Sequence, residues 1–179
     1  MAIAPDDITP DDKDWTWVVH ERCPECGYDA TTITHEQVAP VILANAAAWQ
    51  RVLAHDSDVR RRPSADRWSP LEYACHIRDV LRIYDYRLGL ILSEDDPTYP
   101  NWDQNETALA ERYDEQDLTV VAGELQAAAA QIASRFASVR GDQRSRTGNR
   151  SDGARFTVDT FARYFVHDII HHIYDVGGK

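Results

Sequence analysis

The chain has 179 residues, 43% of them hydrophobic, and carries 30 acidic against 19 basic side chains, for a formal net charge of −11. That length allows one well-packed core and leaves too little for two. The acidic excess argues against non-specific binding to nucleic acid or anionic membranes, which needs a basic face, and no segment approaches the roughly 20 apolar residues of a membrane-spanning helix.

The N-terminus "MAIAPDDITPDDKDW" has neither the basic start nor the apolar core of a secretion signal. Cys23, Cys26 and Cys75 are odd in number and do not make a disulfide framework. A reducing, cytoplasmic location is the expectation. Residues 1–30 read as an irregular arm in which "DWTWVV" lays its two tryptophans on the rest of the chain. Within the arm, "HERCPECGYD" sets Cys23 and Cys26 in a C-x-x-C turn that commonly supplies half of a structural zinc site. No second C-x-x-C follows, so three readings stay open: a knuckle completed by His20 or by His35, a free or redox-responsive dithiol, and an ordinary turn. Cys75 reads as a small buried residue.

Residues 31–179 carry four segments of helical period and nothing that alternates as a strand should. The first follows "THEQ", where Thr34 caps and Gln37 reaches back, and places Val38, Val41, Ile42, Trp49, Val52 and Leu53 on one stripe to about His55. Asn45 interrupts that stripe, and Pro40 blurs its start. The second opens with "SPLE", a capping box of Ser69 and Glu72 with Pro70 at the first helical position, and runs to about Leu92. The third spans about Asp117 to Val139, with Leu118, Val121, Leu125, Ala128, Ile132, Phe136 and Val139 on one face. The fourth runs from about Thr157 to the terminators Gly177 and Gly178. The stretches between them are polar and bear Pro or Gly, so they read as surface connections. The expected fold is all-α, a four-helix bundle with an irregular N-terminal arm.

Two arginine-rich runs, Arg60, Arg61, Arg62 and Arg67, and Arg140, Arg144, Arg146, Arg150 and Arg155, stand out against the acidic background. They read either as solvated loops or as guanidiniums beside a site for a carboxylate-bearing small molecule.

The fourth segment, "YFVHDIIHHIYDV", is rich in histidine. His167 and His171 are four residues apart and so fall within about 40° of one another on a helix. Phe161, Phe165, Ile169 and Val176 lie opposite, and His172 is about 140° from His167, outside the pair. Two imidazoles at this spacing can grip one divalent ion but need a third ligand. His76, on the flank of the second helix's apolar arc, is the candidate, with Asp79 one turn on as an outer partner for its ring.

"RWSPLEYACHIRDV" at 67–80 and "FTVDTFARYFVHDIIHHIYDV" at 156–176 resemble the DinB-like superfamily of metal-binding four-helix bundles, which includes mycothiol-dependent maleylpyruvate isomerases and bacillithiol S-transferases. The resemblance covers about residues 34–176 and implies a metal held by one histidine of the second helix and two residues one turn apart on the fourth. In this chain those are His76, His167 and His171. Some thiol-dependent members carry Glu where this chain has His167. The implied cofactor is a divalent metal, zinc before nickel or iron, with a low-molecular-weight thiol as co-substrate and a small electrophile as substrate. Arg163, Tyr164 and the arginine-rich loop before the fourth helix are candidates to hold the thiol's carboxylate or sugar. Two rival readings are a non-catalytic metal-binding or stress-responsive scaffold, and metal-assisted hydrolysis with His172 or Asp168 as base. No nucleic-acid or membrane partner is expected, while a homodimer is, on faces near Trp49 or Trp102.

Overall fold

The computed structural model describes Thr9 and residues 13–55 and 58–178. Residues 1–8 and 10–12, which hold most of the stretch read as lacking a secretion signal and the start of the arm, lie outside the described residues. Helices α1 (His35–His55), α2 (Pro70–Ser93), α3 (Gln104–Ala110), α4 (Leu118–Ser138) and α5 (Val158–Asp175) are joined by loops that include three short strands. These are β1 (Thr98–Tyr99), β2 (Thr147–Arg150) and β3 (Arg155–Thr157). The four long helices are the four periodic segments of the sequence.

Three of the long helices start at a side-chain cap. The Ser69 side chain accepts the Glu72 N–H and the Glu72 carboxylate accepts the Ser69 N–H, so the capping box closes around Pro70 at the head of α2. Asp117 accepts the N–H groups of Thr119 and Val120 and starts α4. Thr157 and Thr160 cap α5 reciprocally. In α1, Pro40 sits inside the helix and removes one backbone donor without ending it.

The core lies where these helices face one another. Val121, Leu125, Ile132 and Phe136 of α4 are fully buried against Ile42 and Trp49 of α1, Ile77 and Leu88 of α2, and Phe165 and Ile169 of α5. Each such side chain contributes about 1.5–3 kcal/mol relative to exposure. Asn45, the polar interruption of the α1 stripe, donates to the Ile169 carbonyl at 2.7 Å and so ties α1 to the middle of α5. Between α2 and α4, the buried Asp85 carboxylate accepts from Arg135 at 2.5 and 2.9 Å and from Gln131 at 2.7 Å.

Helix α3 and the small sheet occupy segments that the sequence presents as surface connections. The strands are too short for alternation to show. β1 pairs parallel with β2, and β2 pairs antiparallel with β3. Gly148 lets β2 lie on α2, since a Cβ there would fall 2.6 Å from Ile91. Helix α3 buries no residue and rests on its Asp103 cap, so it leaves no apolar period to read. Trp49, one of the two tryptophans on which a dimer face was expected, is wholly inside the core, and Trp102 is turned inward on α2. Among the described residues, no helix is long and apolar enough to cross a membrane.

Candidate functional site

His76 sits in the second turn of α2, in a stretch where almost every residue is buried, and its ring is fully enclosed. Trp102 stacks on it at 5.3 Å with planes 6° apart, and Trp68 approaches at 5.3 Å. Neither ring nitrogen has a hydrogen-bond partner among the described residues. A buried donor or acceptor left unmade costs about 1–3 kcal/mol. What faces the ring is Asp168, with Oδ1 4.0 Å from His76 Nε2, and His172, with ring centroids 4.8 Å apart.

Asp168 and His172 are four residues apart on α5, and His172 Nε2 is 3.2 Å from Asp168 Oδ1. The other nitrogen of His172, Nδ1, is 3.0 Å from Asp175 Oδ2. One nitrogen of each histidine and one oxygen of Asp168 lie within 4.8 Å of one another. Burial disfavours the charged forms of both histidines. It pushes the His76 pKa below its usual value, whereas at His172 the hydrogen bonds of Asp168 and Asp175 outweigh it and hold the pKa at about 9. Burial also opposes the Asp168 carboxylate, but the two imidazoles keep it ionised, well below the usual carboxylate range. Two imidazoles, one carboxylate and an enclosed ring lacking partners fit a divalent ion.

The trio of His76, His167 and His171 expected from the sequence is thus not brought together. His167 and His171 occupy the neighbouring ridge of α5, about 100° round the helix from Asp168 and His172. That ridge faces the N-terminal arm instead of α2. Cys26 Sγ is 3.8 Å from His167 Nε2, and Cys23 Sγ is 3.8 Å from His171 Nδ1. The expected completion of the cysteine turn by His20 or His35 is corrected as well: His20 is exposed, and His35 Nε2 lies 3.0 Å from the Phe136 carbonyl.

Three further candidates have different placements. Asp79 is taken up by Arg78 at 2.9 Å through both oxygens and by the Tyr113 hydroxyl at 2.5 Å, so the carboxylate that orients a site imidazole is Asp175. Arg163 directs its guanidinium at the Val19 carbonyl of the arm at 3.5 Å. Tyr164 does line the site, and its hydroxyl accepts from Arg150 at 3.2 Å. Cys75 is buried as expected, and burial raises its thiol to about 12.

The model of the DinB superfamily matches residues 31–176, most of the chain. The chain belongs to the DinB superfamily. Comparison with curated proteins gives no match. Among solved structures, the chain is similar to YfiT from Bacillus subtilis, with a TM-score of 0.72 and 16% identity over 82% of this chain and 89% of that one. YfiT is described as a probable metal-dependent hydrolase with an unusual four-helix bundle topology. At that identity the likeness establishes a shared fold.

In this DinB-superfamily chain the ligand pattern implied by the resemblance, one histidine from α2 and two residues one turn apart on α5, is met in space by His76, Asp168 and His172. A cleft of about 480 Å³ opens beside Asp168, and its walls include Arg87, Trp102, Gln104, Arg150 and Tyr164. Sequence reasoning did not single out Arg87, Gln104 or Asp175. Arg87 is a buried cation on α2, and as one of three arginines on that helix it is not marked out by the sequence; it donates to the Pro100 carbonyl at 2.8 Å and lies over the Tyr84 and Tyr99 rings.

Proposed function

We propose that this chain is a divalent-metal-dependent enzyme acting on a small electrophile, with a low-molecular-weight thiol as co-substrate. The observation that carries the metal dependence is His76, fully buried with neither ring nitrogen hydrogen-bonded, grouped with His172 and with Asp168, which lines an open cleft. His76, Asp168 and His172 would hold the ion, which supplies Lewis acidity and favours the deprotonated form of a thiol or of water. Zinc suits this donor set.

The chain's own residues define what the cleft can accept. Asp175 fixes the ring of His172 so that Nε2 faces the site. Arg150 is half-sunk over the Phe156 and Tyr164 rings and stays charged beside Asp152, and with Arg87 it brings two guanidiniums to the wall. Asp14, Asp103 and Asp152 line the same cleft, so it offers a polar ligand both donors and acceptors. Burial raises the Tyr164 pKa, so its phenol keeps its proton and can donate to a polar group in the cleft. Trp102 shields His76 from water on one face. The resemblance to thiol-dependent members supports the choice of thiol.

A second reading is metal-dependent hydrolysis in the same cleft, favoured by the description of the fold neighbour YfiT. Asp168 and His172 sit in the ligand group on this reading too, which takes them out of the role of general base. One experiment separates the readings. Zinc-replete protein is assayed on a chromogenic electrophile with and without low-molecular-weight thiols, and on ester and amide substrates without thiol, alongside His76→Ala. Conjugation that needs both thiol and metal supports thiol transfer, thiol-independent cleavage assigns hydrolysis, and metal-replete protein inert in every arm overturns both.

A further inference from the structure

We infer that Cys23, Cys26, His167 and His171 form a second metal centre, a closed zinc site that fastens the N-terminal arm to α5. One sulfur or nitrogen of each residue lies within 4.8 Å of the other three, so the four atoms surround a common point. Each sulfur stands 3.8 Å from a different imidazole nitrogen. With Zn–S about 2.3 Å and Zn–N about 2.0–2.1 Å at tetrahedral angles, a sulfur and a nitrogen on one ion stand roughly 3.5 Å apart. Two separate thiol–imidazole hydrogen bonds would not need the four atoms to share a centre. Two thiolates with two imidazoles form a donor set for zinc and a poor one for magnesium or calcium.

The turn that presents the sulfurs is built for the purpose. The Cys23 N–H donates to the Tyr28 carbonyl at 2.9 Å and the Gly27 N–H donates to the Cys23 carbonyl at 2.9 Å, folding residues 23–28 into a tight loop. Gly27 has φ +75°, a conformation open to glycine and strained for other residues. Arg22 clamps the loop through a 2.7 Å bond to the Gly27 carbonyl. On the other side, α5 supplies two imidazoles one turn apart. His171 turns Nδ1 to Cys23 and Nε2 toward the carboxylates of Glu25 at 3.8 Å and Asp175 at 3.9 Å, which lie beyond hydrogen-bond reach and act on the ring only through their charge.

The Trp15 ring packs on both imidazoles, at 5.5 Å from His167 and 4.9 Å from His171, and closes that side. With four protein ligands there is no open coordination position, which marks a structural centre. Its consequence for the cleft is positional: Lys13, Asp14 and Trp15 of the arm line the same cleft as Arg87, and the knuckle holds the arm there.

Cobalt(II) substitution of the full-length protein under reducing conditions tests the assignment, because thiolate ligands give a sulfur-to-cobalt charge-transfer absorption that nitrogen and oxygen ligands do not. The band is expected in the wild type, retained in His76→Ala, and lost in Cys23→Ser/Cys26→Ser, which should also bind one zinc fewer per chain. Should the cysteine variant fail to fold, X-ray absorption on zinc-loaded His76→Ala gives the same answer: two sulfurs and two nitrogens around zinc match the four side chains. A wild type without the charge-transfer band, or a zinc shell of nitrogen and oxygen alone in His76→Ala, overturns the proposal. Loss of zinc in His76→Ala bears on the cleft site and leaves this one standing.

Discussion

Helix α5 carries two pairs of side chains at the same spacing, one residue apart: His167 with His171, and Asp168 with His172. On an isolated helix they would be near-equivalent gripping pairs. They differ in what folds against them. The first pair meets two cysteines on a tight loop and is closed over by Trp15. The second meets one enclosed histidine of α2 and borders a cleft. A helix fixes spacing, but the element packed on each ridge decides donor number, softness and access, and therefore whether a centre is suited to structure or to chemistry.

The largest separation between the two ridges is expected from His76→Ala. Removing the single ligand contributed by α2 should take metal-dependent turnover to background, while the thiolate-to-cobalt band of the other ridge is unchanged. Parallel activity assays and visible spectra check both halves. Loss of the band together with activity would mean that the ridges share one ion.

How much of this division the sequence could reveal depends on the residue. The four long helices were legible because capping residues such as Ser69 with Glu72 and apolar stripes such as Val121 to Phe136 are local signals. Helix α3 and the two- to four-residue strands are held by a cap and by a close approach at Gly148, which leave no period. For the site, the chemical types were visible but the rotation of α5 was not, since a turn of about 100° exchanges one ridge for its neighbour. Histidine's stronger metal signature drew attention to His167 and His171 over Asp168 and His172. A cue did exist: the cysteine turn lacked two ligands, an H-x-x-x-H pair would complete it, and a D-x-x-x-H pair would then remain for His76.

The next effect in size concerns the support of α2. Arg62 binds both oxygens of the buried Glu72, at 2.5–3.1 Å, directly beside the capping box that starts the helix carrying His76. Removing one partner of such a pair costs about 3–5 kcal/mol, or roughly 6–20 °C in melting temperature for a chain of this size. Glu72→Gln should lower stability by that much near neutral pH. Burial opposes the Glu72 carboxylate, but Arg62 and the Ser69 N–H outweigh it and hold its pKa below the usual value. The folded pKa is therefore the lower one, and the pair's contribution is complete above the unfolded pKa and is lost as pH falls through the folded value. Thermal melts should show a gap between wild type and variant that narrows in acid, and a pH-independent gap would remove Glu72 from this account.

Asp175 is the point where the two ridges come closest to sharing a partner. Its Oδ2 is 3.0 Å from His172 Nδ1, a hydrogen bond, whereas its Oδ1 is 3.9 Å from His171 Nε2, beyond hydrogen-bond reach. Asp175→Asn should accordingly cost the cleft site about 10–100-fold in metal affinity and the cysteine site less, as read by competitive chelator titration of each. Equal losses at both would make Asp175 a common support.

The smallest expected effect tests whether one constraint orients both ridges. Asn45 donates to the carbonyl of Ile169, the residue that follows Asp168 and lies two before His171, so this buried bond sets the rotation of α5 against α1. Asn45→Ala removes the donor while the Ile169 carbonyl keeps its place in the helix, a loss of about 1 kcal/mol and roughly 2–4 °C in melting temperature. If a single rotation of α5 presents both pairs, metal affinity should fall at the two sites by a similar small factor, because any turn that carries Asp168 from His76 also carries His167 from Cys26. A variant that loses metal at one ridge and holds it unchanged at the other would show that the arm and α2 each find their ridge independently, with the helix between them merely supplying the spacing.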